Sequence, residues 1–301
     1  LISLFDYAKS SNIEPLCTPW DIKSVDILEQ YGMKAYKIAS ADLTNHKLLK
    51  YIAKTGKPIF CSTGMSTEQE IIKTCNLLND LGVDYRLLHC NSSYPAPYKD
   101  INLNYMSRLR EISGSPVGYS GHEKGWAVPI AAVAMGARTI EKHITLDRDQ
   151  EGSDHKISLL PNEFSTMVEE IRNVELSLGN DFPRKMTQGE LINRDSLAKS
   201  IIAKKDMPIG TVISEDMLDI KSPGGGLQPI DLDLIVGQAL KRDVSKGGFL
   251  LSCDIGESSI KTFQSFQIHY KWGVPVRFHD YDFFLNKSNP KLLEFHLSYK
   301  D

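Results

Sequence analysis

The sequence has 301 residues, of which 41% are hydrophobic and 24% are charged, as in ordinary soluble globular proteins. This length is enough for two domains, or for one barrel with an appended unit. The formal net charge of −3 gives no electrostatic reason to expect nucleic acid or an anionic membrane as a partner. No apolar run approaches the ~20 residues of a membrane span. The five cysteines form no CxxC pair, so we expect reduced thiols in a cytoplasmic protein.

Strand and helix patterns alternate strictly over residues 13–177. The apolar runs are short and bounded by turn residues, which is typical of strands buried on both faces. The predicted strands are 13–19, 35–40, 58–64, 85–93, 115–122 and 138–146. Gly56 and Gly82 are placed as left-handed helix C-caps, and Thr67 with Glu70 has the spacing of a capping box.

Every predicted strand ends in polar residues. Polar clusters on all strands favour a closed (β/α)8 TIM barrel, because in an open sheet only the strands beside the switch point carry them. Six strands cannot close an eight-stranded barrel. We therefore predict an α/β fold in which residues 1–177 form a partial TIM barrel, strands 3 to 8, without its first two βα units.

The pattern changes after the barrel. Residues 178–194 are polar and rich in turn residues, and we predict a linker there. Residues 195–256 carry short strand and turn patterns without alternating helices, which predicts a small, mainly β domain. Its KSPGGGL segment (221–227) is either a loop that closes over a partner's site or an ordinary turn. Residues 257–301 are aromatic-rich and are interpreted as the start of a further truncated domain or a tail.

Two histidines, His122 and His143, follow the last two predicted strands, close to Ser120, Glu141 and Asp154. Neutral imidazole is a common ligand of divalent metals, and a histidine pair with open positions leaves room for water and substrate. The alternative is two hydrogen-bonded histidines at the barrel rim. The convergence of these groups favours the metal site of an enzyme.

A lysine and a ring of hydroxyls surround the same predicted mouth. Lys37 ends its strand pointing inward, where it could neutralise a phosphate, form a Schiff base or make a rim salt bridge. The STGM turn brings backbone N–H groups near an anion. The hydroxyl residues are Ser40, Ser62, Thr63, Ser92 and Ser93. This set predicts a phosphate site without a P-loop.

Three further residues have less distinctive settings. Tyr94, before PAP, either contacts a substrate or packs within its loop. Lys142 alternates with Glu141 and His143, so we expect it to face the helices. His89 lies in an apolar strand and is predicted to be a hydrogen-bonded core histidine.

Taken together, the motifs resemble the sialic acid synthase family, which includes N-acetylneuraminate and legionaminic acid synthases. The matching segments are CTPWD (17–21), YKIASADLTN (36–45), GKPIFCSTGM (56–65), LLHCNSSYPAP (87–97), VGYSGH (117–122), IEKHITLDR (140–148) and GSDHKISLLPNEF (152–164). The resemblance implies a TIM barrel followed by an SAF (antifreeze-like) domain at 195–256. It also implies a homodimer with the SAF domain over the partner's barrel.

The resemblance further implies a cytoplasmic transferase of sialic acid biosynthesis. In the family, phosphoenolpyruvate condenses with the open-chain aldehyde of an N-acyl hexosamine such as N-acetylmannosamine. The enol carbon attacks the aldehyde, water adds to the oxocarbenium centre, and phosphate leaves with C–O cleavage. The product is a nine-carbon 2-keto sugar acid.

Site roles also follow from the resemblance, motif by motif. His122 and His143 correspond to ligands of a divalent cation, Mn or Mg. Glu141, Asp154 and Tyr94 correspond to sugar-side or proton-handling positions. The positions that correspond to phosphoenolpyruvate contacts are Thr18, Lys37, Ser40, Ser62, Ser92 and Ser120.

The chain departs from the family pattern at several points. A glutamate and a lysine of the family's first two strands are absent, so we expect the 301-residue chain to be inactive alone. Ser92 replaces an asparagine and Gly121 replaces an aspartate. Ser222 stands where the SAF loop usually carries an arginine, with Lys221 as the nearest cation. These departures leave the sugar and the contact between subunits open.

Two other functions compete with the synthase. A Schiff-base (class I) aldolase or lyase would use Lys37 as its nucleophile. A non-enzymatic reading takes the SAF-like unit as a binding or ice-surface module. The polar ring at the strand ends argues against the second, because such a module does not need it.

Overall fold

The computed structural model describes residues 2–256 and two short strands further along the chain. The chain divides into two compact units, residues 1–182 and 183–301. Each unit has a hydrophobic core of its own among the described residues. We therefore describe each unit by itself.

The first unit alternates helices with parallel strands. Its elements are α1 (Ile2–Ser10), α2 (Ile22–Tyr31), β1 (Tyr36–Ile38), α3 (His46–Ala53), β2 (Ile59–Ser62), α4 (Glu68–Asp80), β3 (Tyr85–Cys90), α5 (Tyr105–Ser113), β4 (Gly118–Gly121), α6 (Ala127–Ala134), β5 (Ile140–Lys142) and α7 (Pro161–Leu178). The five strands form one sheet in the order β1 to β5, with every neighbour parallel. The predicted α/β class with a parallel sheet is confirmed, whereas the eight-stranded barrel stays a prediction.

The strand predicted over residues 13–19 is wrong as a strand. Only a single bridge forms there, between Cys17 and Tyr36. Pro15 and Pro19 flank this bridge and have no N–H to donate to a ladder, so pairing cannot extend. The other predicted strands are present but shorter, because their polar ends have already left the sheet at the residues that face the cavity described below.

The core of the first unit lies between the sheet and the helices. Tyr36, Ile59 and Leu87 are fully buried on neighbouring strands, as expected for a sheet covered on both faces. The predicted ends of α4 are confirmed, since Gly82 directly follows its cap residue Leu81, whereas Gly56 lies two residues beyond Lys54, the cap residue of α3. Gly56 and Gly82 both have φ of +67°, and α4 begins with a capping box at Thr67.

The second unit begins with α8 (Gln188–Leu197), followed by β6 (Ser200–Ala203), β7 (Leu218–Lys221) and α9 (Leu232–Ile235). Helix α8 starts inside the segment predicted as a linker, with Thr187 as its N-cap. Strands β6 and β7 are antiparallel. Single bridges join the remaining extended segments, at 202 with 249, 207 with 244 and 212 with 239.

The glycine-rich segment 221–227 lies at the surface of the second unit, with Gly224 and Gly226 packed closely against neighbouring residues. A Cβ at Gly224 would lie 2.2 Å from the main-chain oxygen of Arg194, so a side chain there has no space. The Gly226 N–H donates to Ser200 Oγ at 2.9 Å. Lys221 is paired with Asp219 at 3.2 Å. Within this unit the segment is therefore a fixed turn.

The two strands beyond residue 256 are β8 (Gly273–Val276) and β9 (Leu292–Phe295), which pair in parallel. The rest of the predicted further domain or tail, 257–301, lies outside the described residues. Every helix that the structure describes is too short or too polar to cross a bilayer.

Candidate active site

A cavity of about 610 Å³ lies where β1 to β5 reach their carboxyl ends. The residues assigned to substrates or a metal line it: Thr18, Lys37, Ser40, Ser62, Ser92, Tyr94, Ser120, His122, Glu141, His143 and Asp154. Two hydroxyl residues predicted around the same mouth, Thr63 and Ser93, line a neighbouring pocket instead, and the Thr63 hydroxyl donates to the main-chain oxygen of Leu88. The cavity also has lining residues that the sequence analysis did not select: Leu16, Trp20, Ala39, Ala41, Met65 and Cys90. Most of the residues that follow the predicted strands thus lie in one cavity, as expected from the sequence, and their roles stay predictions.

One side of the cavity is built around Lys37. This side chain is mostly buried, and its Nζ donates to Ser62 Oγ at 2.7 Å. The ammonium also lies 3.4 Å from Glu141 Oε2. Ser120 Oγ donates to the other oxygen of Glu141 at 2.8 Å. A cation from β1, hydroxyls from β2 and β4 and a carboxylate from β5 therefore meet in one connected set of contacts.

Gly64, in the turn after β2, lets three strand ends approach closely. A Cβ at this position would lie 2.1 Å from Ser92 Oγ and 2.8 Å from Ser40 Oγ. The Gly64 N–H donates to Ser40 Oγ at 3.1 Å. Glycine is therefore required for these two hydroxyls to converge beside the lysine.

The opposite side of the cavity holds an aromatic cluster. The ring centres of His122 and His143 are 5.2 Å apart, and the Tyr94 ring lies 4.2 Å from that of His122. His122 Nδ1 lies 2.7 Å from the main-chain oxygen of Asn91. Because a carbonyl oxygen can only accept, Nδ1 carries the proton, and Nε2 of the neutral ring has its lone pair free.

The two histidines differ in their readiness to take up a proton. Burial opposes protonation of His122, but its hydrogen bond to Cys90, the charge of that thiol and the Asn91 carbonyl outweigh burial, so the pKa of His122 is raised. Burial and the charge of His122 lower the pKa of His143. The His143 ring therefore stays neutral to a lower pH than the His122 ring does. Asp154 Oδ2 lies 3.7 Å from His143 Nδ1.

Cys90, the last residue of β3, is a cavity residue that the sequence analysis did not select. Burial acts to raise the pKa of its thiol, but hydrogen bonds with His122, Ser40 and Ser92 and the charge of His122 outweigh burial and lower it. Its position at the end of a predicted strand was the available signal. The apolar run before it concealed that signal.

The donor set fits a divalent metal only in part. His122 and His143 could supply two imidazole nitrogens. Within the described residues, no three side chains of His, Cys, Asp and Glu are grouped in a way that could hold a metal ion. Water or substrate oxygens would have to complete the coordination, as in catalytic sites with open positions. Mn or Mg at this place therefore stays a proposal.

Two predictions about residues outside the cavity are confirmed. Lys142 faces away from it and forms a fully buried pair with Glu123 at 2.8 Å. His89 is a buried core histidine whose Nε2 lies 2.6 Å from the Ile101 oxygen. Glu123 itself was not anticipated, because the polar segment GHEKG gives no sign of burial.

Comparison with known proteins gives consistent matches for both units. The NeuB family matches residues 1–182 and the SAF domain matches residues 198–252. The chain is 40% identical to N,N'-diacetyllegionaminic acid synthase of Campylobacter jejuni, over 77% of this chain and 70% of that protein. It is 38% identical to the Legionella pneumophila protein of the same name, over 82% of this chain and 71% of that protein.

A solved structure supports the same relationship. N-acetylneuraminic acid (sialic acid) synthetase of Leptospira borgpetersenii, in complex with citrate, superposes with a TM-score of 0.60 at 35% identity. The match covers 65% of this chain and 70% of that one. The resemblance drawn from the motifs is thereby confirmed, and so is the prediction of an enzyme of the transferase class.

Proposed function

The chain belongs to the NeuB family, and from that premise we propose that it condenses phosphoenolpyruvate with an N-acyl hexosamine such as N-acetylmannosamine. The products are a nine-carbon 2-keto sugar acid and inorganic phosphate. One observation carries the proposal: a single cavity holds a buried lysine with converging hydroxyls beside a pair of histidines. An anionic substrate and an aldehyde can thus be held next to each other.

The lysine side of the cavity suits phosphoenolpyruvate, which carries both phosphate and carboxylate. Lys37 supplies the positive charge and Ser62 orients it. Further hydroxyl donors come from Thr18, Ser40, Ser92 and Ser120. Glu141 is partly exposed, so its carboxylate can leave Lys37 when a substrate anion takes its place. Charge-assisted hydrogen bonds of this kind are the stronger ones in proteins.

The histidine side suits the aldehyde. A divalent ion, Mn or Mg, bound by His122 and His143 would act as a Lewis acid on the aldehyde oxygen. Burial and the nearby charges of Cys90, Asp154 and Glu141 raise the pKa of Tyr94. The Tyr94 hydroxyl therefore keeps its proton and can donate to a sugar oxygen.

The proposed reaction forms one carbon–carbon bond and breaks one carbon–oxygen bond. The C3 carbon of phosphoenolpyruvate attacks the aldehyde carbon, and the aldehyde oxygen becomes a hydroxyl by taking a proton from water. The Asp154 carboxylate, on the histidine side of the cavity, can accept a hydrogen bond from a sugar hydroxyl. Water then adds to C2 and gives a proton to Glu141. Phosphate leaves from C2 with the electrons of the C–O bond and takes the proton of the remaining C2 hydroxyl, which becomes the ketone of the product.

The proposed active form is a homodimer in which the SAF domain of one subunit covers the barrel of the other. Support for this assembly comes from family membership. Light scattering gives the mass of the particle in solution, and a monomer at working enzyme concentration would contradict the proposal.

The proposal is tested on the longest natural protein that contains these 301 residues. With phosphoenolpyruvate, N-acetylmannosamine and MnCl₂ present, we expect phosphate and 2-keto acid to appear one for one. Lys37→Met should abolish turnover, whereas Lys47→Met, at an exposed position in α3, should not. Phosphate release without sugar would overturn the proposal.

Borohydride trapping distinguishes the proposed synthase from a Schiff-base aldolase. Lys37 is hydrogen-bonded to Ser62 and faces Glu141, an arrangement that uses the side chain as a cation, whereas a Schiff-base nucleophile must be an uncharged amine. Treatment with pyruvate and borohydride should leave the mass of the protein unchanged. A reduced pyruvate adduct on Lys37 would favour the aldolase.

A further inference from the structure

Two charged side chains lie directly behind the histidine pair. Glu123 follows His122 in the chain and Lys142 precedes His143. Both charged side chains are completely buried. Burying a charge is costly unless it is paired and hydrogen-bonded. The cavity chemistry proposed above uses neither group.

The contacts show what the pair holds. Lys142 Nζ donates to Glu123 Oε1 at 2.8 Å and also to the main-chain oxygen of Glu123. The Tyr119 hydroxyl donates to Glu123 Oε2 at 2.5 Å. Both carboxylate oxygens are therefore satisfied. The Lys142 ammonium therefore binds both the main chain and the side chain of Glu123.

These hydrogen bonds of Lys142 connect the ends of two neighbouring strands. β4 and β5 are parallel neighbours, and Gly121 is the register partner of Lys142. Lys142 thus ties the backbone just beyond β4 to the last residue of β5. Each histidine is one residue from a member of the pair, and the centres of the two imidazole rings are 5.2 Å apart.

Gly121 is the position that gives the carboxylate its space. A Cβ there would lie 2.8 Å from Glu123 Oε2, 2.9 Å from Oε1 and 2.8 Å from a ring carbon of Tyr119. The volume that a side chain at 121 would take is filled by the Glu123 carboxylate.

We propose that Glu123, Lys142 and Tyr119 are positioning residues that hold His122 and His143 at the separation needed to bind one ligand together. The inference rests on the proposed function only for the identity of that ligand, a divalent metal. The contacts that carry it lie outside the cavity.

The test compares single and double substitutions in the 301-residue chain. Mn²⁺ binding is followed by electron paramagnetic resonance, and the imidazole signals by NMR of ¹⁵N-histidine-labelled protein. We expect Lys142→Met and Glu123→Gln to weaken Mn²⁺ binding about 10- to 100-fold, the usual effect of losing a group that orients a metal ligand. Lys124→Met, an exposed neighbour, is the matched control and should change neither measurement.

The double variant Glu123→Leu with Lys142→Met separates positioning from stability. It leaves no unpaired buried charge, so its melting temperature should recover relative to the single variants. Mn²⁺ binding should stay weak and the imidazole signals of His122 and His143 should stay shifted. Recovery of binding and signals together with stability would overturn the proposal, because the pair would then be structural only.

One further variant and one further comparison cover the cases in which a charge variant does not fold or the wild type binds no Mn²⁺. If a single charge variant does not fold, Tyr119→Phe removes one hydrogen bond and should shift the same imidazole signals by a smaller amount. If the wild type binds no Mn²⁺, the metal in the proposed function fails, and the NMR comparison alone decides the positioning. Signals of His122 and His143 that are identical in the wild type, Tyr119→Phe and the double variant would contradict it.

Discussion

Two lysine–glutamate pairs lie on opposite sides of β5 and have opposite properties. Glu141 and Lys142 are consecutive, so they face opposite ways. The cavity pair, Lys37 with Glu141, has a distance of 3.4 Å and a glutamate side chain that is 38% exposed. The hidden pair, Lys142 with Glu123, has a distance of 2.8 Å and no exposure. The first can exchange partners with a ligand, and the second can only hold the backbone.

The largest expected effect comes from breaking the hidden pair. Lys142→Met leaves the Glu123 charge buried without its cation, which should lower the free energy of unfolding by about 3–5 kcal/mol. Lys37→Met leaves Glu141 free to be hydrated and should cost less than about 1 kcal/mol. Urea denaturation measures both values. Equal losses would remove the distinction between the two pairs.

The next largest expected effect is on ligand binding, where the cavity pair is the one that matters. Lys37→Met should weaken phosphoenolpyruvate binding about 10- to 100-fold, since a hydrogen bond to a charged group contributes about 1.5–3 kcal/mol. Titration calorimetry on the 301-residue chain measures it, with Lys47→Met as the control. An affinity within twofold of the wild type would remove Lys37 from the anion site.

Ser62→Ala should have a smaller effect. The Ser62 hydroxyl orients the Lys37 ammonium at 2.7 Å, and the loss of one hydrogen bond of this kind costs about 1 kcal/mol, or roughly fivefold in affinity. Ser107→Ala, on the exposed side of α5, is the matched control in the same calorimetric experiment. A loss as large as that of Lys37→Met would mean that Ser62 contacts the ligand directly.

The smallest effect concerns His89, a buried neutral ring that contrasts with the charged hidden pair. Burial lowers its pKa, although the carbonyls of Ile101 and Asn102 oppose this. The unfolded chain therefore takes up a proton near pH 6.5 before the folded one does, and stability falls as the pH drops from about 7 through 6.5. His89→Gln should show a weaker loss between pH 7.5 and 5.5 in urea unfolding. If the wild type and His89→Gln lose the same stability over this pH range, the pH dependence comes from other groups.

Strand periodicity predicted which way Glu141 and Lys142 face, but it predicted the partner of neither residue. The alternation along residues 140–142 placed Glu141 toward the cavity and Lys142 away from it, and the structure agrees. The partner of Lys142 is 19 residues away, in a segment as polar as any exposed loop. Only the three-dimensional register of β4 and β5 brings Glu123 beneath the histidines.

Strand ends were predicted better than strand extents. Polar residues after each apolar run located most of the predicted site residues in one cavity, with Thr63 and Ser93 as the exceptions. The run over 13–19 failed as a strand because its prolines limit hydrogen bonding, although Thr18 still reaches the cavity. Cys90 was missed because a thiol at the end of an apolar strand has the same sequence signature as a core cysteine.

The most direct test of the central claim is the dependence of phosphate release on both halves of the cavity. The longest natural protein that contains this chain is incubated with phosphoenolpyruvate, with and without N-acetylmannosamine, before and after excess EDTA. We predict release only with the sugar present, its loss in EDTA, and its return when Mn²⁺ is added back. Release that is unchanged in excess EDTA, or that needs no sugar, would contradict the account.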